Sequence, residues 1–428
     1  MKTKIRLIIL NFLVFAVWGS YLTSMGSYLA QVGMGPQIGW FYSVQGFVSL
    51  FMPALIGILA DKFIPAQKML SICHFLAAAF MGIAGWQGMK YGADVTFGQL
   101  FPWYALSVAF FMPTIALDNS VSYNALTKAG LDTVKDFPPI RVFGTVGFIC
   151  SMWLVDLMGF QHDYRQFLVC AAWSVILGFY ALTLPNCPVN KEKSGEKQSL
   201  VDALGLRAFS LFKDKKMCIF FIFSMLLGVS LQITNGYANT FISAFADIPA
   251  YAGTFAVKHA NILISLSQIS ETLCILLIPF FLSRLGIKKV MLIAMLAWVL
   301  RFGFFAVGNP GSGVWLFILS MIVYGVAFDF FNISGSLFVE QNTTESIRSS
   351  AQGVFMMMTN GFGATVGTLS AQAVVNKLVY SQPAGEAQIQ AWSTTWYTFA
   401  AYALVVAVLF AIIFKYKHER KPVKQVSE

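Results

Sequence analysis

The stretch Gly57-Ile-Leu-Ala-Asp61-Lys62-Phe63 decides how this chain is read, because of its flanks and because a second stretch answers it. It closes an apolar run over 38–59 and precedes another over 69–87. The second stretch, Phe281-Leu-Ser-Arg284-Leu-Gly286-Ile-Lys288-Lys289, stands between apolar runs over 260–282 and 289–308. Each is a short polar turn with a basic residue at a helix end. The flanking runs are about the 20 residues a helix needs to cross hydrocarbon. Such turns at equivalent places in two halves are the mark of a parallel repeat of membrane helices. In the first turn Asp61 can accept from backbone N–H groups at a neighbouring helix start, while Lys62 stays at headgroup level. In the second turn Ser283 stands where the acid would be, so Arg284 has no such partner.

Working outward from these turns gives twelve spans, at 6–29, 38–59, 69–87, 100–125, 138–160, 166–184, 217–242, 260–282, 289–308, 313–337, 350–376 and 394–414. The composition agrees: 57% of the 428 residues are hydrophobic, 11% are charged, and mean hydropathy is +0.69. A water-soluble domain carries about a quarter charged residues, so lipid must face much of this chain. The longest polar stretch, 185–216, runs from Pro185 through Lys191, Glu192, Lys193, Glu196 and Lys197 and divides the helices six and six. The expected organisation is an all-α polytopic membrane protein of two pseudo-symmetric six-helix bundles. Residues 1–185 form the first lobe, 186–216 a cytoplasmic linker, 217–415 the second lobe and 416–428 a cytoplasmic tail. With both termini inside, 23 of the 29 Lys and Arg are cytoplasmic and only Lys90, Arg165, Lys258 and Lys377 lie outside. That bias sets the orientation.

Several function classes drop out. The net charge of +10 follows from this cytoplasmic bias, and no long polar domain offers a basic face for nucleic acid. The apolar run after Met1-Lys-Thr-Lys-Ile-Arg6 is too long for a signal peptide. Cys73, Cys150, Cys170, Cys187, Cys218 and Cys274 show no metal spacing. No phosphate-binding loop, H-E-x-x-H or G-x-S-x-G occurs. His74, His162, His259 and His418 are widely separated. No enzyme activity, cofactor or metal is implied.

The positive signal is polar residues at membrane depth, where charge costs several kcal/mol and almost always faces a cavity or a partner. In the fifth span Arg141, Thr145 and Phe148 fall on one helical face, although Arg141 is close enough to Pro138 to snorkel to the surface instead. Gln232 and Asn235 share a face of the seventh span, between Gly228 and Gly236. Gln268 and Glu271 do so in the eighth. Tyr324 and Phe328 share a face of the tenth, adjoined by Asp329. Asp118-Asn119 in the fourth span and Arg301 in the ninth fit either a functional or an inter-helix structural role. Amides, aromatic planes, an Arg and two acids suit a nucleoside, whose base stacks and whose heteroatoms and ribose hydroxyls hydrogen-bond. A sugar would use the same hydroxyl acceptors, so the chemistry alone leaves both open.

The first turn resembles the loop signature of the major facilitator superfamily, departing after Phe63 at Ile64-Pro65. More specifically, Trp18-Gly-Ser20, Phe51-Met-Pro-Ala-Leu55, Asp136-Phe-Pro-Pro-Ile-Arg141, Phe221-Ile-Phe-Ser-Met-Leu-Leu-Gly228, Leu231-Gln-Ile-Thr-Asn235, Ser267-Gln-Ile-Ser-Glu271 and Ala327-Phe-Asp-Phe-Phe-Asn-Ile-Ser-Gly335 resemble the nucleoside–proton symporters of that superfamily. The likeness runs over nearly the whole chain. It departs mainly in the linker, near 160–165, 245–258 and 377–393, and at Asp118. It implies import of purine and pyrimidine nucleosides by proton symport across a bacterial inner membrane, by a monomer. Alternatives are a xanthosine-only or sugar symporter. Arg141, Thr145 and Phe148 would line the site from the first lobe. Gln232, Asn235, Gln268, Glu271, Tyr324 and Phe328 would line it from the second. Asp329 would serve binding or proton coupling, with Glu271 the other coupling candidate, and Gly57, Asp61, Lys62 and Arg284 would form the conformational loop motif.

Overall fold

The computed structural model describes residues 2–187 and 206–416; the side chains of 61, 62, 134, 206–208 and 345–349 fall outside that description. All but the first residue of the expected tail 416–428 and most of the expected linker therefore lie beyond the described residues. Helices account for nearly everything described, and no strand occurs among the described residues. The longer α-helices, in chain order, are α1 (Lys2–Gly19), α2 (Met25–Gln31), α3 (Ile38–Ser49), α4 (Met52–Lys62), α5 (Ala66–Tyr91), α6 (Phe97–Lys128), α7 (Thr133–Leu157), α8 (Arg165–Leu182), α9 (Lys215–Ala244), α10 (Ala260–Leu285), α11 (Ile287–Val307), α12 (Val314–Gln341), α13 (Glu345–Met356), α14 (Ala364–Leu378) and α15 (Glu386–Ile413).

Among the described residues nine helices are long and apolar enough to cross a bilayer unaided. The other expected spans are interrupted, each for a local reason. The first divides into α1 and α2, where the Ser20 hydroxyl donates back to Ala16 O at 2.9 Å and Val17 O at 2.8 Å. Such back-bonding competes with the helical ladder. The second bends by 43° between α3 and α4. Pro53 sits at the start of α4, where its missing N–H costs nothing. The eleventh joins α13 to α14 through a π-helical segment, Met357–Gly363. That wider turn fits its close neighbours: a Cβ on Gly363 would fall 2.5 Å from Met225 O and one on Gly361 2.3 Å from Leu50 Cδ2.

α1 to α8 pack chiefly among themselves, as do α9 to α15. Close packing rests on glycine: a Cβ on Gly147 of α7 would lie 2.1 Å from the Phe12 carbonyl of α1. The two groups meet where α7 touches α10, where α3 touches α14 and the π segment, and where α2 touches α9. Their cross-group hydrogen bonds cluster at the end of the molecule away from the chain termini, called here the far end. Thr23 Oγ1 donates to Asn261 Oδ1 (2.9 Å), Ser27 Oγ to Asn239 Oδ1 (2.5 Å), Trp153 Nε1 to Ser265 Oγ (2.8 Å) and Gln161 Nε2 to Lys258 O (2.7 Å). Gln372 binds Gly35 O at 3.2 Å and accepts from Gly39 N. At the near end the bonds stay within one group: Lys4 to Asp136, Tyr180 to Arg6 O, Lys216 to Asn342 and Lys288 to Ala411 O.

Candidate binding site between the two helix groups

α7 presents Arg141, Thr145 and Phe148 along one face, as their spacing predicts. The Arg141 guanidinium does not snorkel to the surface. It lies 3.8 Å above the Phe15 ring of α1, a cation–π contact. Gly144 makes the room: a Cβ there would fall 2.6 Å from Arg141 Nη1 and 2.7 Å from Phe15. Phe148 is buried and meets the Trp18 ring edge-on at 6.3 Å. Trp18 Nε1 donates to Gln45 Oε1 at 3.2 Å, and Gln45 Nε2 donates to Tyr104 OH at 3.1 Å. Phe15, Trp18 and Gln45 thus belong to this wall. Gln45, an amide within the second expected span, carried the same signal as Gln232 and Gln268 and was missed; Phe15 carried none, because an aromatic in an apolar span needs no explanation.

The opposite wall comes from α9, α10 and α12. Asn235 Nδ2 donates to Gln232 Oε1 at 3.1 Å, so the two amides share a face as expected. Gln268 is buried and its Oε1 accepts no hydrogen bond. The Tyr324 and Phe328 rings stack 5.7 Å apart and within 4° of parallel. Trp298 braces Tyr324 edge-on at 6.0 Å. Asp329 is 5% exposed and one carboxylate oxygen has no donor. Glu271 is half-buried on α10, which touches α7 across the divide and α12 in its own group.

Two residues left open by the sequence now have surroundings. Asp118 is fully buried on α6; one oxygen accepts from Asn11 Nδ2 of α1 and from Ser122 Oγ, each at 3.4 Å, and the other accepts nothing. Arg301, 2% exposed, donates from Nη1 to Ser320 O at 2.6 Å and Ser267 Oγ at 3.4 Å, and its guanidinium lies 4.6 Å from the Tyr324 ring centre.

Of the loop-motif residues, Gly57 and Arg284 are described. Gly57 has open space where a Cβ would stand, and Arg284 lies 4.1 Å over the Phe280 ring at the end of α10. The side chains of Asp61 and Lys62 fall outside the described residues. No group of three potential metal ligands occurs among the described residues. A pocket of about 320 Å³ lies elsewhere, at the far end, walled by Phe245, Tyr251, Asn309 and Glu386. It contains none of the expected site residues.

Asp156 and His259, which lie 103 positions apart, form a pairing that sequence reasoning missed. Asp156, fully buried at the end of α7, meets His259 Nδ1 at 2.5 Å and accepts from the backbone N–H of Asn261 (3.1 Å) and Ile262 (3.3 Å). One carboxylate therefore caps the start of α10 from the other helix group.

Comparison with known proteins agrees with this architecture. The chain is 50% identical over 426 residues to the nucleoside permease NupG of Escherichia coli (strain K12), covering 99% of this chain and 98% of that one. It is 48% identical over 428 residues to the xanthosine permease of the same organism, covering 99% of each. A crystal structure of the nucleoside transporter NupG superposes with a TM-score of 0.87 at 49% identity, over 97% of this chain and all of that one. A POT-family transporter at 13% identity and a TM-score of 0.66 shares the fold. The nucleoside H+ symporter family profile matches residues 1–419, and the chain belongs to that family.

Proposed function

We propose that this chain imports purine and pyrimidine nucleosides together with protons, by rocking of two lobes, 1–185 and 217–415, about a site at mid-depth. The observation that carries the reading is the contact across the divide of α7, which bears Arg141, with α10, which bears Glu271, beside the stacked Tyr324 and Phe328 rings and the buried amides Gln232 and Gln268. Phe148, Tyr324 and Phe328 offer planes to the base. Gln232, Asn235 and Gln268 read its heteroatoms. Arg141, Thr145 and Glu271 serve the ribose hydroxyls. Glu271 or Asp329 takes the proton, which removes a charge that is costly to move through a closed cavity.

The protein acts as a monomer in a bacterial inner membrane, with twelve spans, both termini cytoplasmic and 186–216 linking the lobes. The far end is then periplasmic and closed, and the site opens toward the cytoplasm. The 48% identity to a xanthosine permease favours a second reading, in which xanthosine is the sole cargo. Uptake of radiolabelled uridine and adenosine into proteoliposomes, with and without an inward proton gradient, decides. Gradient-driven accumulation of both supports broad nucleoside symport. Uptake of xanthosine alone supports the second reading, and uptake of none of the three defeats both. Asp329→Asn that binds uridine but no longer accumulates it would place coupling on Asp329, and full coupling in that variant would leave Glu271.

A further inference from the structure

Two pairs of amides stand at two depths on α9 and α10. Gln232 on α9 and Gln268 on α10 belong to the mid-depth site. Asn239 follows Gln232 by seven residues, and Asn261 precedes Gln268 by seven. α9 runs toward the far end and α10 away from it, so both steps lead toward that end. Seven residues make two helical turns, a rise of about 10 Å with about 20° of drift. The second pair therefore repeats the first on the same two helix faces. The faces converge there, where Asn239 Nδ2 donates to Asn261 Oδ1 at 2.9 Å.

Both outer amides are buried, and their carbonyl oxygens are fully used. Asn239 Oδ1 accepts from Ser27 Oγ at 2.5 Å and from Ser243 Oγ at 3.0 Å. Asn261 Oδ1 accepts from Thr23 Oγ1 and from Asn239 Nδ2, each at 2.9 Å. An amide oxygen has two lone pairs, so neither takes a further donor while the far end is closed. Each pair also keeps one buried atom without a partner: Gln268 Oε1 in the inner pair and Asn261 Nδ2 in the outer. An open buried polar atom is costly in a finished contact, and is expected where a ligand supplies the partner.

Thr23 and Ser27 belong to the other helix group. When the far end opens they leave with that group. One lone pair on each amide oxygen is then freed beside the open Asn261 N–H groups. That wall of the entrance presents acceptors and donors side by side. A nucleobase edge is made to match it: uracil offers N3–H beside O4, and adenine offers its N6 amine beside N7.

We propose that Asn239 and Asn261 form an outer nucleoside station. The station takes the base edge when the far end is open and hands it two turns inward to Gln232 and Gln268. The same two oxygens make it an interlock. Ser27 and Thr23 regain them only after the base has let go, so the far end cannot close on a nucleoside left at the station.

The inference rests on the nucleoside reading, and the experiment keeps the two apart. The probe is 4-thiouridine, which forms adducts with adjacent residues under near-ultraviolet light, applied to the full chain in membranes. Adducts are expected around Gln232 and Gln268 and also around Asn239 and Asn261. Thr23→Val with Ser27→Ala removes the hydroxyls and spares the amides. It favours the open far end and should raise the outer adducts about threefold or more. Asn239→Ala with Asn261→Ala should lower them about fivefold or more while the inner adducts persist. Kinetics supply a sign that a mere latch would not give. Losing the hydroxyls enlarges the population open at the far end, which lowers the KM for uridine entering there. Losing the amides removes the station too and is expected to raise that KM about threefold or more. No outer adducts in the Thr23→Val, Ser27→Ala protein, or a lowered or unchanged KM in the alanine pair, would overturn the station and leave the transport reading standing. No adducts and no nucleoside flux in the wild type would overturn the transport reading itself. If the alanine pair does not fold, the outer adducts in the wild type and in the hydroxyl variant still decide.

Discussion

The two ends of the molecule are built differently from similar materials. At the far end polar side chains reach across the two helix groups: Thr23 to Asn261, Ser27 to Asn239, Asp156 to His259 and the start of α10. At the near end comparable side chains bond within their own group: Lys4 to Asp136, Lys128 to Asn186 O, Lys216 to Asn342. The difference shows which contacts must break for the site to change sides and which must persist. Cross-group bonds at the far end are the reversible ones. Within-group bonds at the near end hold each lobe together as it moves.

The largest expected effect comes from making the far end permanent. Ser27 and Asn239 touch through their side-chain oxygens at 2.5 Å. Cysteines at both positions, in a background lacking the six native ones, are expected to form a disulfide under oxidation. Uridine uptake should fall to background and return on reduction. Unimpaired uptake by the fully oxidised pair would mean that the far end need not open.

Glycine gives the next largest effect. A Cβ on Gly26 of α2 would stand 2.3 Å from the Gly236 carbonyl of α9. The obstacle is backbone, which cannot swing aside as a side chain can. Gly26→Val is expected to keep the far end from closing and to lower uptake by tenfold or more. Spin-label distances across that end should lengthen. An unchanged distance distribution would show that α2 and α9 can yield.

Asp156→Ala tests the same interface chemically. It strips the acceptor from His259 and from two backbone N–H groups, and a buried donor left unpaired costs about 1–3 kcal/mol. That corresponds to a shift of the far end toward open of about five- to 150-fold, read in the same spin-label distances. Asp156→Asn keeps an acceptor oxygen and should shift it less. Equal effects of the two would mean that the contact works by shape alone.

What the sequence foretold divides along physical lines. Repeats, span positions and the paired faces on α7, α9, α10 and α12 were legible, because helical period and the cost of polar groups in lipid act within one segment. The breaks at 20–24 and at the π segment were not, since each depends on a neighbour's fit. Asp156 and His259 were missed because each sits at a helix end, where a polar residue needs no explanation. Their contact joins positions 156 and 259, and a single sequence carries no signal of that pairing. Asp118 drew notice as a charge in a span, but its Asn11 partner lies 107 positions away.

The near end should be the least sensitive. Lys4 and Asp136 approach to 2.6 Å, but their side chains remain 42% and 20% exposed. Water and salt screen such a pair, and the long Lys side chain loses freedom in making it. The bond also lies within one helix group, so it is present whichever way the site faces and cannot favour one orientation over the other. Lys4→Ala should therefore change uridine uptake by less than about twofold, with the far-end spin-label distances unaltered. A shift in those distances on removing Lys4 would show the near-end bonds to be part of the gate after all, and the division between the two ends would fail.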